Sequence, residues 1–307
     1  MNRISLKGKD IISINDLSKD EIIRVLETAR RIEKGRLPVL RGKIMAALFF
    51  EPSTRTRLSF ESAFNRLGGK VLGFSDAKVS SATKGETVYD TIKMVENYAD
   101  IIVMRHNLDG AARVAAEATD KPVINAGDGS NQHPTQTLLD LYTIKQTQGK
   151  ISGIKIAMVG DLKYGRTVHS LAIALSRFGC GMYFVSPSFL RMPDDVKEEL
   201  DRKGIEYAEF KEIEEVVDRV DIVYMTRIQK ERFSDITEYE KAKDLYILKK
   251  SMLVNARPNM KVLHPLPRVN EIHPDVDDTK HAYYFQQAKN GIIVRQAIVA
   301  LLLGALR

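Results

Sequence analysis

The chain alternates between short apolar runs and longer segments in which apolar residues recur every three or four positions. Four runs of strand length come first, at 44–50, 71–74, 100–105 and 122–125. Segments with helical periodicity separate them,. Strands that alternate with helices predict a parallel sheet covered on both faces, with ligands at the carboxyl ends of the strands.

The same alternation begins again after a polar break at 145–150. Runs at 153–159, 182–185 and 221–225 predict a second sheet, and the apolar segment 285–306 predicts a long closing helix,. We therefore predict an α/β protein with two doubly wound domains, each a parallel sheet flanked by helices. The glycines after the first of these runs lack G-x-G-x-x-G spacing, and no acidic residue ends the next strand, so a dinucleotide site is poorly supported,.

Hydroxyl and guanidinium groups are concentrated where the first strand gives way to a helix. Ser53, Thr54 and Thr56 supply hydroxyls, and Arg55 and Arg57 supply guanidinium groups. A helix N-terminus adds N–H donors and partial positive charge, so the junction suits a phosphate dianion. An ordinary serine or threonine cap beside solvated arginines is the alternative. The density of donors favours the phosphate site.

Later strand ends carry further candidate groups. Arg105 ends the third strand, and His133 and Gln136 begin the helix after the fourth. A histidine can donate to a carbonyl oxygen that gains charge, and a glutamine can bind an amide, although both could merely fasten the loop. In the second half, Arg166 at a helix start suggests a small carboxylate, and Arg227 again places a cation after a strand.

The composition of the chain further limits the classes of function that it could have. With 307 residues, 44% of them hydrophobic, the chain is long enough for two domains,. Its one cysteine, Cys180, excludes an internal disulfide and a Cys-rich zinc site, and nothing in the sequence calls for a metal or cofactor,. Lys and Arg outnumber Asp and Glu by 47 to 40 but are scattered, which favours small anions over nucleic acid,. The start has no apolar signal region, and the run 297–306 is shorter than a bilayer span, so we expect a cytoplasmic protein with no membrane partner,.

Six segments together resemble the aspartate/ornithine carbamoyltransferase superfamily, and within it the catalytic chains that use aspartate. They are Phe-Phe-Glu-Pro-Ser-Thr-Arg-Thr-Arg at 49–57, Val-Met-Arg-His at 103–106, Asp-Gly-Ser-Asn-Gln-His-Pro-Thr-Gln at 128–136, Val-Gly-Asp-Leu-Lys-Tyr-Gly-Arg-Thr-Val-His-Ser at 159–170, Tyr-Met-Thr-Arg-Ile-Gln-Lys-Glu-Arg at 224–232 and His-Pro-Leu-Pro-Arg at 264–268. The first box is shared across the superfamily and indicates carbamoyl phosphate only. Ornithine enzymes are expected to carry His-Cys-Leu-Pro and a Ser-Met-Gly loop, whereas this chain has Pro265 in the former place and Arg227 in its second domain.

The resemblance implies that the aspartate amine attacks the carbamoyl carbon through an oxyanionic intermediate. The products are N-carbamoyl-L-aspartate and phosphate, in an early step of pyrimidine biosynthesis. Such chemistry depends on positioning and charge stabilisation. The departing phosphate, rather than His133, is expected to accept the amine proton. An ornithine carbamoyltransferase and a non-catalytic phosphate- or dicarboxylate-binding protein are the alternatives.

The resemblance also implies a role for each candidate residue. The implied phosphate cradle is Ser53, Thr54, Arg55 and Thr56, with Arg105 bridging the phosphate and the carbonyl oxygen. The implied oxyanion donors are Thr56, Arg105 and His133, and the implied holders of the carbamoyl NH2 are Gln136 and the carbonyls of Leu266 and Pro267. Arg166 would bind the α-carboxylate of aspartate, and Arg227 with Gln229 its side-chain carboxylate.

The polar loop 75–85 is implied to enter the active site of a neighbouring chain. It carries Lys84 and a serine, and either Ser80 or Ser81 matches the family serine. This implies a homotrimer with shared active sites, and it leaves open whether a regulatory chain binds and makes the enzyme allosteric. The implied carbamoyl phosphate domain is 1–132 with 286–307, so that the closing helix returns to it, and the implied aspartate domain is 133–285, including the helix 134–148.

Overall fold

The computed structural model describes residues 4–35, 38–228, 239 and 245–306. The chain forms two compact units, Met1–Leu139 with Lys289–Arg307, and Asp140–Ala288. The sequence predicts the division at 132, whereas the units divide within a helix, after Leu139. Leu139 lies against the closing helix of the first unit, because a Cβ built on Gly291 would be 3.2 Å from its Cδ2 atom.

The first unit contains a four-stranded parallel sheet of order β2-β1-β3-β4. Its elements are α1 (Lys19–Glu33), β1 (Ile44–Phe49), α2 (Thr54–Arg66), β2 (Lys70–Phe74), α3 (Val88–Val95), β3 (Ile101–His106), α4 (Ala111–Glu117) and β4 (Val123–Asp128). The predicted parallel sheet flanked by helices is confirmed. The strand order reverses between β1 and β3, and such a switch point is where ligands bind in sheets of this kind.

The register of the first sheet brings three strand ends together. Phe49 lies opposite Arg105, and His106 lies opposite Asp128, so β1, β3 and β4 end at one edge. At β2, Gly73 has a φ of +140°, and a Cβ there would lie 2.1 Å from the carbonyl oxygen of Ala47. Only glycine therefore allows β2 to approach β1 this closely.

The closing helix, Tyr284–Leu302, returns to the first unit as predicted. Its Arg295 side chain donates from Nη1 to the Ser59 hydroxyl at 2.9 Å. The same guanidinium lies 4.9 Å from the ring centroid of Phe60. Residues 297–302 of this helix are buried, which accounts for the apolar run in the sequence.

The second unit contains a five-stranded parallel sheet of order β7-β6-β5-β8-β9. The helix α5 (Pro134–Gln148) precedes this sheet and belongs to both units. The elements that follow it are β5 (Lys155–Val159), α6 (Arg166–Ser176), β6 (Gly181–Val185), α7 (Asp194–Arg202), β7 (Tyr207–Phe210), β8 (Ile222–Met225) and β9 (Lys261–Leu263). The order reverses between β5 and β8, which gives this sheet its own switch point. Over the described parts of the chain, no helix has both the length and the apolar character needed to cross a bilayer.

Candidate active site

The predicted phosphate cradle lies at the N-terminus of α2, beside the switch point of the first sheet. Ser53 occupies the N-cap position with extended backbone, yet its side chain makes no capping hydrogen bond, and the first turn contains no acidic residue. In α1, by contrast, the N-cap Ser18 accepts from the backbone N–H of Glu21, and two acidic residues occupy the first turn. The α2 terminus therefore keeps its hydroxyl groups and its positive dipole end for an anion.

Arg105 lies at the end of β3, next to this terminus. Its guanidinium pairs with a carboxylate oxygen of Glu51 at 2.9 Å and donates to the carbonyl oxygen of Ala126 at 3.3 Å. The Arg105 side chain is only 13% exposed. Glu51 was not among the residues predicted from the sequence, although an acidic residue beside a cation-rich helix start was a signal for such a partner. The structure thus brings Arg105 to the β1–α2 loop, as predicted.

A buried carboxylate organises the loop that leads to His133 and Gln136. Each oxygen of the fully buried Asp128 accepts two N–H groups, and the four distances lie between 2.7 and 3.1 Å. The donors are the backbone of Gly110 and Gln132 and the side chains of Asn125 and Asn131. This arrangement was not predictable from the sequence, because the donors come from separate segments of the chain.

His133 and Gln136 lie at the start of α5, where they were predicted. The His133 carbonyl accepts the backbone N–H groups of Gln136 at 3.0 Å and of Thr137 at 3.2 Å, which begins the helix. The His133 and Gln136 residues are 5% and 8% exposed. Their positions beyond β4 place them at the same edge of the sheet as Arg105.

The loop with Lys84 forms two short 3-10 turns, Ala77–Val79 and Ser81–Lys84. The Ser80 hydroxyl joins them, since it donates to the carbonyl oxygen of Ala77 at 2.8 Å and accepts the N–H of Ala82 at 3.3 Å. Ser81 is exposed. Lys84 is also exposed, and it forms no hydrogen bond or ion pair with any described residue. The two candidate serines therefore differ in their surroundings, with Ser80 shaping the turn that presents Lys84.

In the second unit, Arg166 and Arg227 follow the two strands that flank the switch point. Arg166 is the first residue of α6, after β5, and Arg227 comes two residues after β8. The loops after these strands touch, because a Cβ on Gly160 would lie 2.4 Å from the carbonyl oxygen of Thr226, and the Thr226 hydroxyl accepts the N–H of Asp161 at 3.1 Å. Both arginines are partly exposed. Gln229, which was predicted to assist Arg227, lies outside the described residues.

The carbonyl groups that were predicted to accept from the carbamoyl NH2 lie in the turn after β9. The Leu266–Pro267 peptide bond is cis, and Leu266 has a φ of +57°. The backbone N–H of Leu266 donates to Nδ1 of His264 at 2.7 Å. Burial lowers the pKa of His264, and the charges of Arg268 and Arg227 act in the same direction.

Together these features define an α/β protein with two doubly wound units, each of which carries arginine and hydroxyl side chains beside the switch point of its sheet. The chain belongs to the aspartate/ornithine carbamoyltransferase family. The carbamoyl-P binding domain of that family matches residues 9–146, and its Asp/Orn binding domain matches residues 152–302. The resemblance inferred from the sequence motifs is confirmed.

Curated relatives and solved structures agree with this placement. The aspartate carbamoyltransferase catalytic subunit of Parabacteroides distasonis is 57% identical over 97% of this chain and 98% of its own length. That of Thermococcus kodakarensis is 57% identical over 98% of each chain. The catalytic subunit of M. jannaschii aspartate transcarbamoylase superposes with a TM-score of 0.90 at 54% identity, covering 96% of this chain and 98% of its own. Aspartate transcarbamoylase from Trypanosoma cruzi, in complex with carbamoyl phosphate and aspartate, superposes with a TM-score of 0.92 at 39% identity over 97% and 98% of the two chains.

Proposed function

We propose that this chain transfers the carbamoyl group of carbamoyl phosphate to the amino group of L-aspartate, giving N-carbamoyl-L-aspartate and phosphate. The observation that carries the proposal is the α2 N-terminus, where Ser53 is at the cap position without capping and Arg105 lies alongside. The full-length match to catalytic subunits named for aspartate supports the choice of acceptor. The reaction is an early step of pyrimidine biosynthesis, and we place it in the cytoplasm.

The phosphate of the substrate binds to the start of α2 in this proposal. The hydroxyls of Ser53, Thr54 and Thr56 donate to its oxygens, and Arg55 adds a guanidinium that can bind two oxygens at once. Negative charge on the phosphate grows as the carbamoyl bond breaks, so donors fixed in advance stabilise the transition state more than the ground state. Arg105, held by Glu51, extends this positive environment towards the carbonyl oxygen.

The carbamoyl group is polarised and oriented by a second set of donors and acceptors. Thr56, Arg105 and His133 stabilise the oxyanion of the tetrahedral intermediate. The carbamoyl NH2 is held by Gln136 and by the main-chain carbonyls of Leu266 and Pro267. The departing phosphate accepts the proton of the attacking amine, so no side chain has to act as the general base.

Aspartate is recognised through its two carboxylates. Arg166 binds the α-carboxylate, and Arg227 with Gln229 binds the side-chain carboxylate. A guanidinium forms paired hydrogen bonds with a carboxylate, whereas the cationic side chain of ornithine would be repelled. The positions of Arg166 and Arg227 after two adjacent strands of one sheet support this division of roles.

We further propose a homotrimer in which Lys84 enters the site of a neighbouring chain. Lys84 is exposed and forms no polar contact with a described residue of its own chain. Three large apolar side chains that come soon after Lys84 in the chain are exposed. Tyr89, Met94 and Tyr98 are 48%, 51% and 54% exposed. An exposed apolar group beside a projecting loop supports a protein contact there.

An acceptor comparison tests the function. The protein is incubated with carbamoyl phosphate and aspartate, ornithine or no acceptor, and phosphate release is followed. We expect rapid phosphate release when aspartate is the acceptor, and not with ornithine or without an acceptor. Rapid release with ornithine would instead establish the ornithine enzyme, and carbamoyl phosphate binding without release under either condition would establish a binding protein.

A further inference from the structure

A buried histidine and glutamate lie beneath the turn that contains Leu266 and Pro267. Nε2 of His264 and Oε1 of Glu271 are 2.6 Å apart, and their side chains are 1% and 4% exposed. The proposed mechanism assigns no role to either residue. A buried ionisable pair is costly to desolvate, so its surroundings should indicate what it does.

The contacts of His264 determine which ring nitrogen carries the proton. A backbone N–H can only donate, so the 2.7 Å contact from the Leu266 N–H requires that Nδ1 of His264 is an unprotonated acceptor,. The proton of the neutral ring is therefore on Nε2, where it is donated to Glu271. Glu271 fixes the tautomer, and the tautomer supplies the acceptor for Leu266.

Glu271 holds the other end of the same turn. Its Oε2 atom accepts the backbone N–H groups of Val269 at 3.0 Å and Asn270 at 3.1 Å. The pair thus fastens the turn at three backbone N–H groups, one before and two after Pro267. Leu266 adopts the left-handed conformation, φ +57°, which is strained for a residue with a branched side chain,. The hydrogen bond to His264 helps to hold Leu266 in this conformation.

The backbone of His264 is anchored as firmly as its ring. Its N–H donates to Oε1 of Gln287 at 2.8 Å, and Nε2 of Gln287 donates to Oδ1 of Asp140 at 2.6 Å. The other oxygen of Asp140 accepts the Tyr224 hydroxyl at 2.8 Å. These groups are buried within the second unit. A change at the His264 ring therefore passes to the Leu266 peptide, because the rest of the residue is fixed.

The electrostatic environment keeps His264 neutral at neutral pH. Burial lowers the pKa of His264, the Glu271 carboxylate opposes that effect, and the charges of Arg268 and Arg227 add to it, with a net lowering. Arg268 is itself paired with Asp277, which keeps its charge in place. In acid, a proton on Nδ1 would face the Leu266 N–H, and two donors cannot form a hydrogen bond.

We propose that His264 is a positioning residue, whose neutral Nε2–H tautomer accepts the Leu266 N–H and so directs the carbonyls of Leu266 and Pro267 towards the carbamoyl NH2. This inference rests on the proposed function, since it needs the carbamoyl group as the ligand of those carbonyls. Phosphate, which has no amide, does not use the turn. Inorganic phosphate therefore serves as the internal control for damage elsewhere.

Two substitutions of His264 separate positioning from a merely structural role. In His264→Asn, the amide oxygen occupies the place of Nδ1 and can accept the N–H two residues later, as in an Asx turn. In His264→Gln, the longer amide reaches Glu271 but offers no acceptor to Leu266. We expect His264→Gln to raise the KM for carbamoyl phosphate about tenfold, the equivalent of one hydrogen bond, and to leave the inhibition constant of phosphate within about twofold. His264→Asn should keep the KM for carbamoyl phosphate within about threefold of the parent.

The inference is overturned if both variants are impaired equally, or if His264→Gln is unimpaired while the parent is active. A parent without aspartate-dependent phosphate release would instead refute the proposed function. Should His264→Gln fail to fold, as judged by circular dichroism, a pH series on the parent and His264→Asn replaces it. For each protein, the KM for carbamoyl phosphate is divided by the inhibition constant of phosphate at each pH. This ratio should rise in acid for the parent but not for His264→Asn. Parallel ratios across the series would refute the role of His264.

Discussion

Replacing Asp128 with asparagine tests whether the buried carboxylate supports the loop to His133. The carboxylate accepts four N–H groups, two on each oxygen. An asparagine keeps one oxygen, so its NH2 group must face two former donors. The least costly orientation directs the NH2 towards Gly110 and Asn131, because the Asn131 side chain can turn and offer its own oxygen. The Gly110 N–H then remains unsatisfied, and the remaining bonds lose their charge assistance.

We expect Asp128→Asn to lower the free energy of unfolding by about 2–4 kcal/mol, since a hydrogen bond to a charged group is worth about 1.5–3 kcal/mol and an unsatisfied buried donor adds its desolvation cost. The value of kcat should fall by about tenfold or more, because small displacements of oriented groups are costly in catalysis. Urea unfolding followed by circular dichroism measures the first quantity, and phosphate release at saturating substrates measures the second.

Asp109→Asn is the matched control, because this exposed aspartate contacts the same loop. Asp109 accepts the backbone N–H of Ser130 at 2.8 Å and its hydroxyl at 3.3 Å. Asparagine can keep the first bond and donate to the hydroxyl, so we expect a change in stability within about 0.5 kcal/mol. Equal stability and kcat for the two variants would refute the reasoning about Asp128.

Four further predictions concern the proposed roles. Arg55→Lys should lower kcat about tenfold or more although charge is conserved, because lysine cannot form the paired contacts of a guanidinium with phosphate. A steady-state kcat within about twofold of the parent would contradict this. Arg227→Ala should raise the KM for aspartate about tenfold or more and leave the KM for carbamoyl phosphate within about twofold of the parent. An equal rise in both KM values in initial-rate kinetics would show the assignment to be wrong. Ser80→Ala should impair activity more than Ser81→Ala, since only Ser80 ties the turns beside Lys84. Lys84→Ala and Arg55→Ala proteins should each be inactive and should regain activity when they are dissociated, mixed and reassembled, because a ring joins different faces at each interface. Hybrid trimers that are confirmed by native mass spectrometry but remain inactive would exclude shared sites.

The sequence was sufficient to predict most of the alternating elements and both parallel sheets, although β7 was not predicted. The return of the closing helix was implied by the family resemblance. The candidate groups after β1, β3 and β4 were also predictable, because the carboxyl ends of parallel strands share an edge and polar residues stand out after apolar runs. Ser53 at the start of α2 is the clearest case, since its place at the strand-to-helix junction is visible in the sequence.

The partners that hold these groups were not predictable. Glu51 and Arg105 are far apart in the chain, and their pairing depends on the register of β1 and β3. Local sequence likewise could not distinguish Ser80 from Ser81, because the difference lies in which hydroxyl closes the turn. The His264 tautomer required the geometry of its two nitrogen contacts, which periodicity does not encode.

Isotope transfer tests the central claim most directly. Carbamoyl phosphate labelled with 13C at the carbamoyl carbon is incubated with the protein and 15N-labelled L-aspartate, and the product is observed by 13C NMR. The proposed reaction forms a bond between these two atoms, so a new carbamoyl signal split by one-bond coupling to 15N is expected, and it should be absent with 15N-labelled ornithine. A coupled signal with ornithine alone, or none with either acceptor while carbamoyl phosphate stays intact, would contradict carbamoyl transfer to aspartate.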